Sequence, residues 1–188
     1  MRLTGGEARG RLLKVPRGSL VRPTADRVRE ALFDILGARV RGARFLDAYA
    51  GTGAVGCEAL SRGAIRVVFL ERERRALALI EENARAGPWS GEVEIVAGDA
   101  RRSLRRLGRG NERFDIIFLD PPYEESGIPE IMVLAANVLA AGGALVVEHR
   151  TSRVIDPLPE KVALALRSYR YGDTTLTVGR PAPDDGRT

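Results

Sequence analysis

Phe45-Leu46-Asp47-Ala48-Tyr49-Ala50-Gly51-Thr52-Gly53-Ala54-Val55-Gly56 runs an apolar stretch of strand length into a glycine loop that opens a helix. Strand, then G-x-G-x-x-G, then helix is the first βα turn of a nucleotide-binding α/β fold. Glu71 follows about twenty residues later, at the end of the next apolar run, where that fingerprint places its ribose-binding acid. Taken alone, the pattern also describes a dehydrogenase. Asp47 argues against a dinucleotide, because its carboxylate would stand near the position of a pyrophosphate. An anion there suits the ammonium and sulfonium of S-adenosylmethionine. On this reading the backbone of Ala50, Gly51 and Gly53 lets the methionine part of the cofactor approach, and Glu71 accepts from the ribose hydroxyls. Asp99, in Val96-Ala97-Gly98-Asp99-Ala100, is placed to take the adenine amino group, with the Ala100 N–H facing a ring nitrogen. A helix N-cap is the alternative for Asp99, and the two roles are compatible.

Outward from this loop, apolar runs alternate with helical patterns, which makes the chain α/β with a mostly parallel sheet. Strands are expected over residues 44–49, 66–70, 93–97, 114–119 and 144–148. Helices are expected over 54–62, 73–86, 100–107 and 128–140, with Gly63, Gly87-Pro88, Gly108 and Gly142-Gly143 at their ends. Residues 162–170 and 174–179, around Tyr171-Gly172-Asp173, read as a hairpin that closes the sheet antiparallel. Ahead of the sheet, residues 1–22 form a basic arm with a β-hairpin. Thr24 caps a helix over 25–36, whose Val28, Leu32, Ile35 and Leu36 share one face. The main domain then spans 23–180, and 181–188, without apolar content, is expected to be a disordered tail.

The fourth strand ends in Asp120-Pro121-Pro122-Tyr123. Two successive prolines stiffen the chain and remove two N–H donors, leaving an acceptor-only surface. The Asp120 carboxylate and the Pro121 carbonyl can each take one N–H of a planar amine, while the Tyr123 ring offers a stacking face. In an open α/β sheet, ligands bind beyond the carboxyl ends of the strands near the switch point between the first and the fourth. The glycine loop and Asp120–Tyr123 would therefore face each other across one crevice. That arrangement points to methyl transfer onto the exocyclic amine of a base. His149, the single histidine, ends the fifth strand and reads as structural rather than catalytic.

With 188 residues the chain fits one domain able to bury a core without metal or disulfides. One cysteine, Cys57, and one histidine argue against a zinc site, so no metal is expected. No apolar run reaches the length of a membrane span, and the first residues lack the apolar stretch of a signal peptide; a cytoplasmic location and no membrane partner are expected. The formal charge of +5 favours a polyanionic partner. Arg2, Arg9, Arg11, Lys14, Arg17, Arg22, Arg27 and Arg29 crowd the start of the chain, which makes the arm the expected phosphate contact. A second cluster, Arg101, Arg102, Arg105, Arg106, Arg109 and Arg113, can equally be solvated arginines in a chain that uses almost no lysine.

Several stretches together resemble the bacterial methyltransferases that modify guanine N2 in small-subunit ribosomal RNA. They are Gly10-Arg11, Arg22-Pro23-Thr24, Asp26-Arg27-Val28-Arg29-Glu30-Ala31-Leu32-Phe33, the glycine loop running into Glu58-Ala59-Leu60-Ser61-Arg62-Gly63-Ala64, Asp120–Tyr123, and Tyr171-Gly172-Asp173-Thr174. The resemblance covers nearly the whole chain and departs from the expected pattern at Asp34, Tyr49 and Cys57. It implies a Rossmann-like S-adenosylmethionine-dependent fold and a cofactor site that includes Thr24, near the cofactor carboxylate, and Asp120. Arg9, Arg11, Lys14 and Arg22 would hold ribosomal RNA or the small-subunit particle, with a monomer as the default state. An adenine-N6 DNA methyltransferase is the alternative, because the same tetrapeptide serves that amine.

Overall fold

Both faces of the central sheet are covered by helices, which is why its strands read as nearly unbroken apolar runs. The computed structural model describes residues 1–16, 23–122, 127–155 and 162–181, without the side chains of 23–25. Strands β1 (Arg44–Ala48), β2 (Arg66–Glu71), β3 (Glu92–Ala97), β4 (Phe114–Leu119) and β5 (Leu139–Arg150) pair in parallel; β7 (Thr174–Pro181) is inserted antiparallel between β5 and β6 (Leu164–Tyr171). The resulting order is β3-β2-β1-β4-β5-β7-β6. Helices α1 (Pro23–Leu36), α2 (Ala54–Ser61) and α3 (Arg74–Arg85) share one face; α4 (Ala100–Gly108) and α5 (Ile128–Ala136) cover the other. Strand residues alternate accordingly: Phe45, Phe69, Phe118 and Val146 enter the first core, and Leu46, Leu70, Leu119 and Val147 the second. Among the described residues no helix is long and apolar enough to cross a membrane.

The α/β expectation holds, with differences at four places. α1 begins at Pro23, so Thr24 lies within its first turn rather than ahead of it; proline suits a first helical position because its missing N–H would have no partner there. α5 stops at Ala136 rather than at residue 140, and β5 starts at Leu139. Phe114 pairs with Leu139 and Ile116 with Ala144, so residues 140–143 bulge out of the ladder, with Gly142 at φ 74° taking the turn. The glycine pair expected to end a helix therefore sits inside a strand. Pro181 closes β7; residues 182–188, the rest of the expected tail, lie outside the described residues.

The basic arm is a hairpin docked on the domain. Arg2 bridges Leu12, Leu3 donates to the Arg11 carbonyl at 3.0 Å, and Leu3, Ala8 and Leu13 are buried in the first core. A fully buried carboxylate on α2 holds it: Glu58 accepts from the Thr4 N–H at 2.9 Å, the Gly5 N–H at 2.8 Å and the Thr4 hydroxyl at 2.7 Å. Arg29 of α1 and Arg62 at the end of α2 pair with the same carboxylate at 3.4 and 3.0 Å. Arg29, counted from the sequence among the phosphate-seeking cations, is only 4% exposed and is spent on this clamp. Gly6, at φ 76°, lies so close to α2 that a Cβ would stand 1.8 Å from the Ser61 carbonyl oxygen.

Removing one partner of a buried ion pair costs up to about 3–5 kcal/mol, here moderated because Arg29 keeps Asp26 at 3.0 Å. Glu58→Ala should lower the urea midpoint accordingly and expose Arg9 and Arg11 to trypsin; an unchanged midpoint with an uncut arm would refute the clamp.

Candidate active site

The strand β1 ends in a turn built for close approach. Asp47 is 1% exposed, and its Oδ2 accepts the Gly56 N–H at 2.8 Å, tying the strand to the first turn of α2. Burial pushes its carboxyl well above the ordinary range; the Gly56 bond opposes this, and the charges of Asp120 and Glu71 add to it. Asp47 is thus no solvated strand end. Tyr49, at φ 65°, is the one non-glycine in the left-handed region among the described residues and turns the chain out of β1. A Cβ on Gly56 would lie 2.2 Å from the Phe69 ring, so only glycine lets α2 sit this close to β2.

Glu71, at the end of β2, is held by three backbone donors: Gly51 to Oε2 at 2.8 Å, and Arg72 and Glu73 to Oε1 at 2.7 and 2.8 Å. A carboxylate offers about four acceptor directions, so about one remains for a ligand hydroxyl. Asp99 caps α4, its Oδ1 accepting the Arg102 N–H at 3.0 Å, which gives the N-cap role expected as one of its two.

Two cavities meet over the carboxyl ends of β1, β4 and β5. The larger, about 540 Å³, runs between Glu71, Arg72, Glu73, Gly98 and Ala100 on one side and Pro121 and Pro122 on the other. The smaller, about 180 Å³, lies under the glycine loop and is lined by Asp47, Ala50, Gly51, Thr52, Val28 and Arg29 among others. Tyr49, Asp120 and Glu148 line both. The expected crevice between glycine loop and Asp120-Pro121 is therefore present, with Pro121 buried and Pro122 exposed. Tyr123 and Arg22 lie outside the described residues. Of the other expected RNA contacts, Arg9, Arg11 and Lys14 are exposed on the arm, Lys14 pairing with Glu82 at 2.8 Å. Asn83 of α3 ties that arm to the glycine loop, donating to the carbonyls of Lys14 at 3.0 Å and Thr52 at 2.9 Å.

Glu148 is a site residue that the sequence does not announce. An acid closing an apolar strand looks like the point where the strand meets water, and only the cavity marks it out. Burial and the charge of Asp120 push its carboxyl up to about 8, while burial raises Asp120 to about 6. Among the described residues no cluster of three or more His, Cys, Asp or Glu is disposed to hold a metal ion. His149 is committed elsewhere. The Arg150 carbonyl, 2.9 Å from Nδ1, can only accept, so Nδ1 carries the proton and Nε2 takes the Thr177 hydroxyl at 2.8 Å. Burial lowers the histidine's pKa, in keeping with a neutral structural ring.

The family described as conserved hypothetical protein 95 matches residues 1–180. Ribosomal RNA small subunit methyltransferase D of Escherichia coli (strain K12) is 36% identical over 181 residues, covering 90% of this chain and 89% of its own. Among solved structures, the Escherichia coli protein yhhF superposes with a TM-score of 0.81 at 30% identity, covering 97% of this chain and 98% of that one. A hypothetical protein of Thermus thermophilus gives 0.79 at 34% identity, with 95% and 98% covered.

The raised carboxyls at the cleft give the ligand-free protein a pH signature. The folded chain keeps the Glu148 proton up to about pH 8, whereas the unfolded chain releases it at about pH 4.3, so this group's contribution declines as pH rises between the two. Glu148→Gln should match wild type in thermal midpoint at about pH 4 and exceed it above about pH 8. Equal midpoints at both values would show that the Glu148 carboxyl is not shifted.

Proposed function

The chain belongs to the conserved hypothetical protein 95 family, that of ribosomal RNA small subunit methyltransferase D, and on this footing we propose that it transfers a methyl group from S-adenosylmethionine to the exocyclic N2 amine of a guanine in small-subunit ribosomal RNA. It is a ribosomal RNA methyltransferase, and the cytoplasm, where the ribosome is made, is its proposed place of work. The choice of guanine rests on the family, and the observation that supports transfer to a base amine is the placement of Asp120. Its side chain belongs both to the cavity under the glycine loop and to the cleft bounded by Pro121 and Pro122, so one acceptor serves the junction of cofactor and target.

The cleft fits such a cofactor by charge. Asp47 is buried, Glu148 half-buried and Asp120 exposed at the mouth of the cleft, and all three carboxyls are raised, a state that a cationic ligand relieves and a diphosphate would worsen. Asp47 and the backbone of Ala50, Gly51 and Gly53 would hold the amino-acid part, Glu71 the ribose, and Asp99 and Ala100 the adenine; Thr24 would stand near the carboxylate. When bound, S-adenosylmethionine supplies an activated methyl on a positive sulfur, so no strong base is required.

What the chain's own residues contribute is placement. The guanine N2 lone pair is delocalised into the ring, and acceptors on both N–H bonds favour the pyramidal form that aims it. Asp120 and the Pro121 carbonyl are those acceptors, with Pro122 fixing the backbone between them and Tyr123, which follows in sequence, as the stacking face. Stacking of this kind contributes about 1–3 kcal/mol. Asp120 can also take the proton that the methylated amine loses. The target guanine must be unpaired or flipped out. Arg9, Arg11 and Lys14, exposed on a docked arm, together with Arg22, would hold RNA phosphates.

Asp120→Ala should reduce methyl incorporation into unmodified small-subunit particles by about 10²-fold. The dissociation constant for S-adenosylhomocysteine should change less than about threefold, and nucleoside analysis of the wild-type product should give N2-methylguanosine. Loss of cofactor binding as the main effect, or N6-methyladenine as the product, would refute the assignment. Replacing Arg9 and Arg11 with Gln should weaken RNA binding and reduce the magnitude of the log–log salt slope by about 1.4 to 1.8 if each contacts one phosphate. An unchanged slope would remove these two residues from the interface.

A further inference from the structure

Leu119 of β4 and Val147 of β5 are register partners, so the next step along the two parallel strands sets Asp120 beside Glu148. Neighbouring strands lie about 4.8 Å apart, and residues in register point to the same face. Phe118 and Val146, two positions earlier, enter the first core, so both carboxyls emerge on that side of the sheet, where both line the two cavities. Two acceptors thus stand side by side at the junction where the target base is to be held.

We propose that Glu148 selects guanine by accepting its ring N1–H while Asp120 and the Pro121 carbonyl hold the N2 amine. The inference rests on the reading of guanine N2 as the methylated group. Guanine's Watson–Crick edge presents two adjacent donors, N1–H and the N2 amine, which match two adjacent carboxyls. Adenine presents an N1 lone pair beside its amine, so its N1 would face an ionised Glu148 lone pair to lone pair. Burial and Asp120 together favour keeping a proton on Glu148. The neutral acid can accept from N1–H or donate to an N1 lone pair, so discrimination belongs to the ionised form, and the preference for guanine rises with pH as that proton leaves. A site built around a hydrogen bond to one donor discriminates against a ligand that lacks it, because the site's own polar group is then left buried without a partner.

The test uses the full-length chain and substrate RNA in which the guanine that wild type methylates is replaced by 2-aminopurine. That base keeps the amine but has no N1–H. Above about pH 8, where Glu148 is ionised, wild type should prefer guanine by about tenfold or more in kcat/KM. Glu148→Ala should lose that preference by slowing on guanine and not on 2-aminopurine, with S-adenosylhomocysteine affinity unchanged; Glu148→Gln, whose amide can accept from N1–H or donate to a bare N1, should keep guanine activity with a smaller preference that no longer varies with pH. Equal use of both bases by wild type, or a guanine preference that survives in Glu148→Ala, would overturn the inference while leaving the methyl-transfer reading intact. A tenfold loss of S-adenosylhomocysteine affinity in Glu148→Ala would overturn it too, by placing Glu148 on the cofactor. Absence of N2-methylguanosine from wild type would remove both readings together.

Discussion

Parallel strands bonded in register must carry their chemistry at matching levels, and this constraint governs the site. Asp47 stands level with Phe118, and Phe118 with Val146, so Tyr49, Asp120 and Glu148 come to one level a step or two beyond. No loop has to fold back to bring them together. What the loops add is clearance: a glycine where α2 meets Phe69, a left-handed turn at Tyr49, and a proline pair that stiffens the way out of β4. The floor of the cleft is consequently rigid sheet, which suits a reaction that depends on aim more than on strong acid–base chemistry.

Charge is divided between two centres, one open to the cleft and one buried. At the cleft, acids gather with their carboxyls pushed upward by burial, a frustration that a positively charged ligand resolves. On the far side of α2, Glu58 is surrounded by two arginines and by N–H and O–H donors from Thr4 and Gly5. Residues on one short helix thus serve both: Gly56 bonds Asp47 and Glu58 holds the arm. Asn83 makes a second connection between arm and glycine loop.

Much of this is legible in the sequence because it is local. Apolar periodicity places β2, β3 and β4 to within a residue, and topology alone brings the glycine loop, Glu71 and Asp120-Pro121 together. The rest depends on distant partners. Nothing near Glu58 says that residues 4 and 5 will reach its carboxylate, and Arg29 reads as a surface cation until its burial is seen. Glu148 is hidden for the opposite reason, since a strand ending in an acid is ordinary. The early start of β5 escapes a sequence reading because a bulge interrupts its pairing, and two adjacent glycines look the same in a bulge as at a helix end.

The docked arm also bears on the order in which the molecule can assemble. Its anchoring bonds span 53 and 54 residues of sequence, from Gly5 and Thr4 to Glu58. Contacts of such separation carry a loop-closure entropy that local helices and turns avoid. On the ribosome the arm is made before α2 and must wait for that helix before Leu3, Ala8 and Leu13 can be covered. Arg2, Arg9 and Arg11 place charge beside the apolar residues that await cover, the kind of placement that limits association of transiently exposed segments.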